Sequence, residues 1–181
     1  MNTETIENCL SLLFNKNRIK IPFYVCAANE IKNYVKNTKK FPLMIIQNTD
    51  KAGDSGKHWL AWFILSSKST EYFDSYGNPC LKYKYVEKPV ENITKENCLP
   101  LQSDTSYLCG AYCVFYLYFR ALGYSYEKII NNFTNNKLQN DYKIHTFMKC
   151  IPEITQNYHN ANYILKQNCQ SNTCKYLCLY S

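Results

Sequence analysis

Hydrolysis of an amide by a thiol sets four requirements, and four positions in this chain are of the right type to meet them. The thiol must ionise, so a helix N-terminus or an imidazole has to lower its pKa. A base must take the proton, and that base must be held in one orientation by an acceptor. The oxyanion formed on attack needs donors aimed at it. Cys109 stands between the polar loop 103–107 and the apolar run Cys109–Leu122, so a helix starting there presents its sulfur to the positive end of the helix dipole. Gly110 follows it and would let a substrate approach the backbone. His58 stands where the Gly-bearing loop 48–57 meets the apolar run Trp59–Leu65. It is one of 3 histidines; His145 falls on an expected helix and His159 in a polar tail. Asp74 follows Tyr72 and Phe73 at the end of the next expected strand. The start of one hairpin strand lies beside the end of the next, so Asp74 can accept from His58 and stabilise its charged form. Gln102 precedes Cys109 across the polar loop, and its amide can donate to an oxyanion beside the Cys109 N–H. Each residue also has a plain structural reading: a core cysteine, a surface loop histidine, a turn aspartate, a glutamine without a role.

Those residues need elements to carry them. Thr3–Phe14 reads as a helix capped by Thr3 or Thr5, and Ala27–Lys36 as a second helix. Phe41–Gln47 reads as a buried strand, and Trp59–Leu65 as a strand buried on both faces. Ser66–Ser69 is a turn, and Glu71–Ser75 completes a hairpin closed by Gly77-Asn78-Pro79. An edge strand is expected near Lys82–Val86. Cys109–Leu122 carries only Arg120 as a charge, so it reads as a helix in the middle of the domain, stopped by Gly123. Ser125–Phe133 reads as a Ser-capped helix, 131–140 as an Asn-rich loop, and Asp141–Cys150 as a further helix. Cys113 falls one turn deeper than Cys109 on the same side and reads as core. The length fits a single domain over 1–181 with a sizeable core.

The composition is globular: 181 residues, 46% hydrophobic and 19% charged. The net charge of +7, densest at Lys32–Lys40 and at Lys82, Lys84 and Lys88, favours polyanions and is equally a solvated surface. The polar, acidic start is not a signal peptide, and no apolar run has membrane-spanning length, so no membrane partner is expected. The 10 cysteines are then expected as thiols in a reducing, intracellular compartment. Cys169, Cys174 and Cys178 with His159 number four potential zinc ligands. Their spacing is not a pair of C-x2-C knuckles, so no metal is expected.

Taken together, the motifs resemble the adenovirus protease (adenain) family, related to the ubiquitin-like-protein (SUMO) proteases. Gly56-Lys57-His58-Trp59-Leu60-Ala61 resembles that family's His-Trp strand. Tyr72-Phe73-Asp74-Ser75-Tyr76-Gly77 resembles its acidic strand, and Gln102 with Ser106-Tyr107-Leu108-Cys109-Gly110-Ala111-Tyr112-Cys113 its Gln and Cys-Gly helix start. The resemblance covers about residues 40–125. It implies His58 as base, Asp74 as orienter, Gln102 as oxyanion donor and Cys109 as nucleophile, with Trp59 beside the ring. It implies an α+β fold with its catalytic core at about 40–150: a mostly antiparallel central sheet packed on a buried helix bearing the nucleophile at its N-terminus. It also implies a cysteine endopeptidase cutting viral or capsid precursor proteins at Gly-containing sites, in the nucleus of an infected cell and in the virion. No cofactor is required for the chemistry. The family implies DNA and an activating peptide joined through a cysteine between the acidic residue and the nucleophile; here Cys80 and Cys98 lie in that interval, neither at an aligned position. A monomer acting on protein substrates, with DNA as a further partner, is expected. Alternatives are a protease of ubiquitin-like modifiers, a papain-like site with His145 as base, and an inactive relative that binds nucleic acid or protein.

Overall fold

The computed structural model describes residues 1–151. The elements in chain order are α1 (Thr3–Lys16), β1 (Phe23–Cys26), α2 (Ile31–Asn37), β2 (Leu43–Asn48), β3 (Trp59–Ser66), β4 (Ser69–Phe73) and β5 (Asn92–Glu96). The helices α3 (Cys109–Ala121), α4 (Tyr126–Ile130) and α5 (Lys137–Lys149) follow.

One five-stranded sheet in the order β1-β2-β3-β4-β5 organises these elements. The strand β3 at its centre explains the apolar run that carries no alternation. Trp59, Ala61 and Phe63 face one core, shared with α1, α3, α4 and α5. Leu60, Trp62 and Ile64 face the other, closed by Ile31 of α2 and by Cys80 and Val90. A strand with both faces buried has no polar face to alternate with. Each of its large side chains, removed from water, contributes roughly 1.5–3 kcal/mol.

The sheet is mixed, which corrects the expectation of a mostly antiparallel one. β2–β3 and β3–β4 are antiparallel, but β1–β2 and β4–β5 are parallel. Parallel neighbours need a crossover connection. The segment carrying α2 supplies one, and the excursion 74–91 supplies the other. The edge strand expected at Lys82–Val86 is instead a 3₁₀ turn, Cys80–Lys82, followed by irregular chain. The edge strand is β5, Asn-Ile-Thr-Lys-Glu, whose mostly polar side chains give no periodic signal.

Helix ends follow side-chain capping. Asn2, not Thr3 or Thr5, caps α1 by accepting from Thr5 N at 2.9 Å. Ser125 caps α4 as expected, accepting from Lys128 N at 3.1 Å. Asn136 caps α5 by accepting from Gln139 N, so this helix starts at Lys137, inside the stretch read as an Asn-rich loop. Gly123 (φ +88°) follows α3 as its stop. Across the sheet face, Tyr116 of α3 stacks on Phe73 of β4 with centroids 4.7 Å apart. Glu71 of β4 receives Arg120 Nε at 2.7 Å and Nη2 at 3.0 Å, and the Tyr116 hydroxyl at 2.8 Å. This fork fixes the helix against the strand. The tail cysteines Cys169, Cys174 and Cys178, with His159, lie outside the described residues.

Candidate active site

The ends of β3 and β4 and the start of α3 converge on one small region. His58 immediately precedes β3, and its carbonyl accepts from Thr49 N at 2.9 Å, which ties the loop end to the strand edge. Asp74 immediately follows β4. The antiparallel register pairs Ala61 with Phe73, and its continuation sets residue 58 opposite residue 76 and diagonal to 74.

His58 Nε2 lies 2.6 Å from Asp74 Oδ1, with the carboxylate wholly buried. In the neutral ring this contact assigns the tautomer: Nε2 carries the proton that Asp74 accepts, and Nδ1 is left to take a second proton. Asp74 is the hub of the corner. Oδ1 also accepts from Tyr76 N at 2.9 Å; Oδ2 accepts from Tyr83 OH at 2.7 Å and from Asn78 N at 3.1 Å. Its own N–H and carbonyl are held by the Asn97 amide, at 2.9 and 2.5 Å. Burial alone would raise the carboxyl; the hydrogen bonds and charge of His58 and the Tyr83 hydroxyl reverse this and hold it below 3.8.

Cys109 is the first residue of α3, and no side chain caps that helix start. Its N-terminal N–H groups therefore act on whatever lies in front of them. Nδ1 of His58 is buried and makes no aligned hydrogen bond of its own, while the Cys109 sulfur is close enough to couple to the ring. Burial pushes the Cys109 thiol up, but the imidazole and the Trp59 backbone outweigh it and hold the thiol below 9.0. The ring responds in the opposite sense. Burial lowers its pKa, Asp74 and Cys109 raise it, and the result is about 9. These opposite displacements describe one coupled pair, a thiolate beside an imidazolium.

Gln102 is fully buried beside them. Its Oε1 accepts from Ser75 OH at 2.6 Å. Its Nε2 donates to Ser106 O at 2.8 Å and, more weakly, to Tyr76 OH at 3.3 Å. The Tyr76 ring in turn stacks on His58, with centroids 4.7 Å apart and planes at 28°. Ser75, Tyr76 and Tyr83 are the members of this site that spacing did not reveal. The first two stand beside Asp74 in the strand-ending motif; Tyr83 comes back from the excursion with nothing in its own sequence context to mark it.

No family model matches the sequence, and no curated protein matches it. One solved structure to which the chain is similar is the crystal structure of the ASFV pS273R protease. Identity is 19%, over 80% of this chain and 66% of that one, with a TM-score of 0.49. The chain thus spans just under two thirds of that protein's length.

Two sequence expectations change at this site. Gly110 does not open room for a substrate. A Cβ there would stand 3.2 Å from Ile6 Cδ1 and Met1 Cβ and 3.3 Å from Trp59 Cδ1, so the glycine admits the N-terminal segment. Trp59 Nε1 donates to Met1 O at 3.0 Å across the same contact. His145 is buried on α5, where burial first and Lys149 second depress its pKa below 6.5. That setting disfavours the imidazolium that a papain-like role would need. Cys113 is core: its Sγ donates to Trp59 O at 3.3 Å, and burial pushes its thiol well above 9.0. Burial likewise pushes Cys9 and Cys26 up to about 12, so they are inert beside Cys109. A cleft of about 350 Å³ lies to one side, lined by residues of 1–3, 25–30 and 48–56 with Trp59. It does not include the sulfur or the imidazole.

Proposed function

We propose that this chain is a cysteine endopeptidase with Cys109 as nucleophile, His58 as base, Asp74 as orienter and Gln102 as oxyanion donor. The observation that carries the reading is the buried Asp74 carboxylate 2.6 Å from His58 Nε2, with Cys109 near enough to the ring that the thiol is held down and the imidazole up.

The reaction runs as follows. The Cys109 proton passes to His58 Nδ1. The thiolate pair attacks the carbonyl carbon, and the π pair moves onto oxygen. The Cys109 N–H at the uncapped helix start and a Gln102 Nε2 hydrogen receive that oxygen. The hydrogen now directed at Tyr76 OH, at 3.3 Å, is the one available, since the Ser106 bond at 2.8 Å is the stronger. Collapse breaks the C–N bond, and the imidazolium protonates the leaving amine. Water, deprotonated by His58, then cleaves the thioester and releases the thiolate.

The substrate class we favour is a precursor protein of viral type cut beside glycine, as the motif resemblance implies. Ubiquitin-like modifiers ending in two glycines are the competing class. The chain is assayed with both, in the presence and absence of duplex DNA and beside Cys109→Ala. Cleavage that vanishes in Cys109→Ala supports the reading. Cleavage that survives it, or a Cys109 no more reactive toward iodoacetamide than a free peptide thiol, sinks it.

A further inference from the structure

The strap 101–108 that leads into Cys109 contains no helix or strand, yet Gln102 within it must be held still for an oxyanion role. Two consecutive side chains of α5 grip it. Asn140 and Asp141 are 1% and 2% exposed. Asn140 Nδ2 donates to Leu101 O at 3.0 Å. Asp141 accepts from Ser103 N, at 3.3 Å to Oδ2 and 3.5 Å to Oδ1. The peptide groups on both sides of Gln102 are therefore anchored to the same helix. Asp141 Oδ1 also accepts from the Tyr112 hydroxyl at 2.9 Å. Tyr112 belongs to α3, in the turn that starts at Cys109. From the opposite side, Ser75 O accepts the N–H groups of Leu101 and Gln102, at 2.8 and 3.0 Å.

A buried carboxylate is an expensive way to hold a loop, since neutral acceptors cost far less to desolvate. Burial raises the Asp141 carboxyl; the hydroxyls of Tyr112 and Ser106, the Ser103 N–H and then Lys137 work against that rise. The carboxylate offers two oxygens at one point, and these meet donors from α3 and from the strap. It is the point where the nucleophile's helix and the oxyanion donor's strap are tied to one another.

We propose that Asp141, seconded by Asn140, is a positioning residue that sets the distance between the Cys109 helix and the Gln102 amide. It touches neither the sulfur nor the scissile group. Its effect falls on oxyanion stabilisation and leaves the thiolate–imidazolium pair alone. The inference rests on the protease reading for its chemistry.

The test uses two probes on the full chain. Iodoacetamide alkylates a thiolate by displacement at carbon, with no oxyanion to stabilise. A glycine-ended peptide aldehyde adds the same thiolate to a carbonyl and needs the oxyanion donors. In folded Asp141→Asn, the alkylation rate and its pH midpoint stay within about twofold of the parent. Aldehyde affinity weakens about tenfold or more, and kcat falls with little change in KM. Tyr112→Phe, which removes only the α3 tether, repeats the pattern more weakly and serves if Asp141→Asn fails to fold. Equal losses in both reactions, or no loss in either, overturn the inference while leaving the protease reading intact. A parent protein that neither alkylates rapidly nor binds the aldehyde defeats the protease reading, and the inference with it.

Discussion

The hydroxyl of Ser75 donates to Oε1 of Gln102 at 2.6 Å. That bond helps to set which way the amide points. With Oε1 committed to Ser75, Nε2 is left on the side of Ser106 and of Tyr76, whose ring stacks on His58. Ser75 also follows Asp74 directly, so the residue that holds His58 and the residue that holds the Gln102 amide are chain neighbours.

Ser75→Ala is therefore expected to act on the oxyanion step. It removes one buried hydrogen bond and leaves Oε1 without its donor, costing about 1–3 kcal/mol where the amide orientation matters. We expect kcat to fall about tenfold, against about 10²-fold for Gln102→Ala, with Cys109 alkylation unchanged in both. Steady-state kinetics and iodoacetamide rates on the same preparations check this. A Gln102→Ala variant with full turnover would remove Gln102 from the mechanism.

The coupled thiol and ring give a pH profile with a definite sign. Cys109 is held below 9.0 and His58 is raised to about 9, so the thiolate–imidazolium pair exists between the depressed thiol value and about pH 9. Alkylation should decline as pH falls through the lowered thiol value, and that midpoint should lie below 9.0. His58→Ala removes the largest lowering influence and leaves the burial that raises the thiol, so the midpoint should move up from its parent value. The absorbance of the thiolate, followed against pH in parent and variant, reads this directly; coincident curves would show that the imidazole does not tune the sulfur. The stability contribution of His58 runs in the opposite direction. The raised His58 pKa contributes stability fully below pH 6.5, and this is lost as pH rises through about 9.

Arg120→Ala tests the fork that fixes α3 on β4. Glu71 is 5% exposed, and the substitution strands its carboxylate with only the Tyr116 hydroxyl. Breaking a buried pair on one side costs about 3–5 kcal/mol. Urea midpoints should report that loss, with a smaller loss when Glu71→Gln is added to the same chain. A variant within about 0.5 kcal/mol of the parent would mean that the fork is replaceable by water.

The proposed site residues could be singled out because thiol chemistry restricts residue type, and three of the four, His58, Asp74 and Cys109, stand at the ends of elements. Trp59–Leu65 and Cys109–Leu122 marked β3 and α3 nearly to the residue; His58 immediately precedes the first, and Cys109 opens the second. The sheet's two edges were not legible. β1 is 4 residues long, and β5 is mostly polar, so neither leaves a period-2 signature. The start of α5 was hidden because asparagine is a poor helix former and a good cap, and Asn136 acts here as the cap. Asp141 sat inside a helix expected from the sequence. Nothing local told its buried carboxylate from a solvated one; only packing against 101–106 does so.

Asp74, Ser75 and Tyr76 each serve a different partner: the imidazole edge, the Gln102 amide and the imidazole face. The three sit in a turn closed by Gly77 N donating to Asp74 O at 2.8 Å, so adding or deleting one residue here would break the turn and misdirect all three together. The stretch that follows β4 is thereby fixed in length, and a substitution at any of its three residues is felt by the other two.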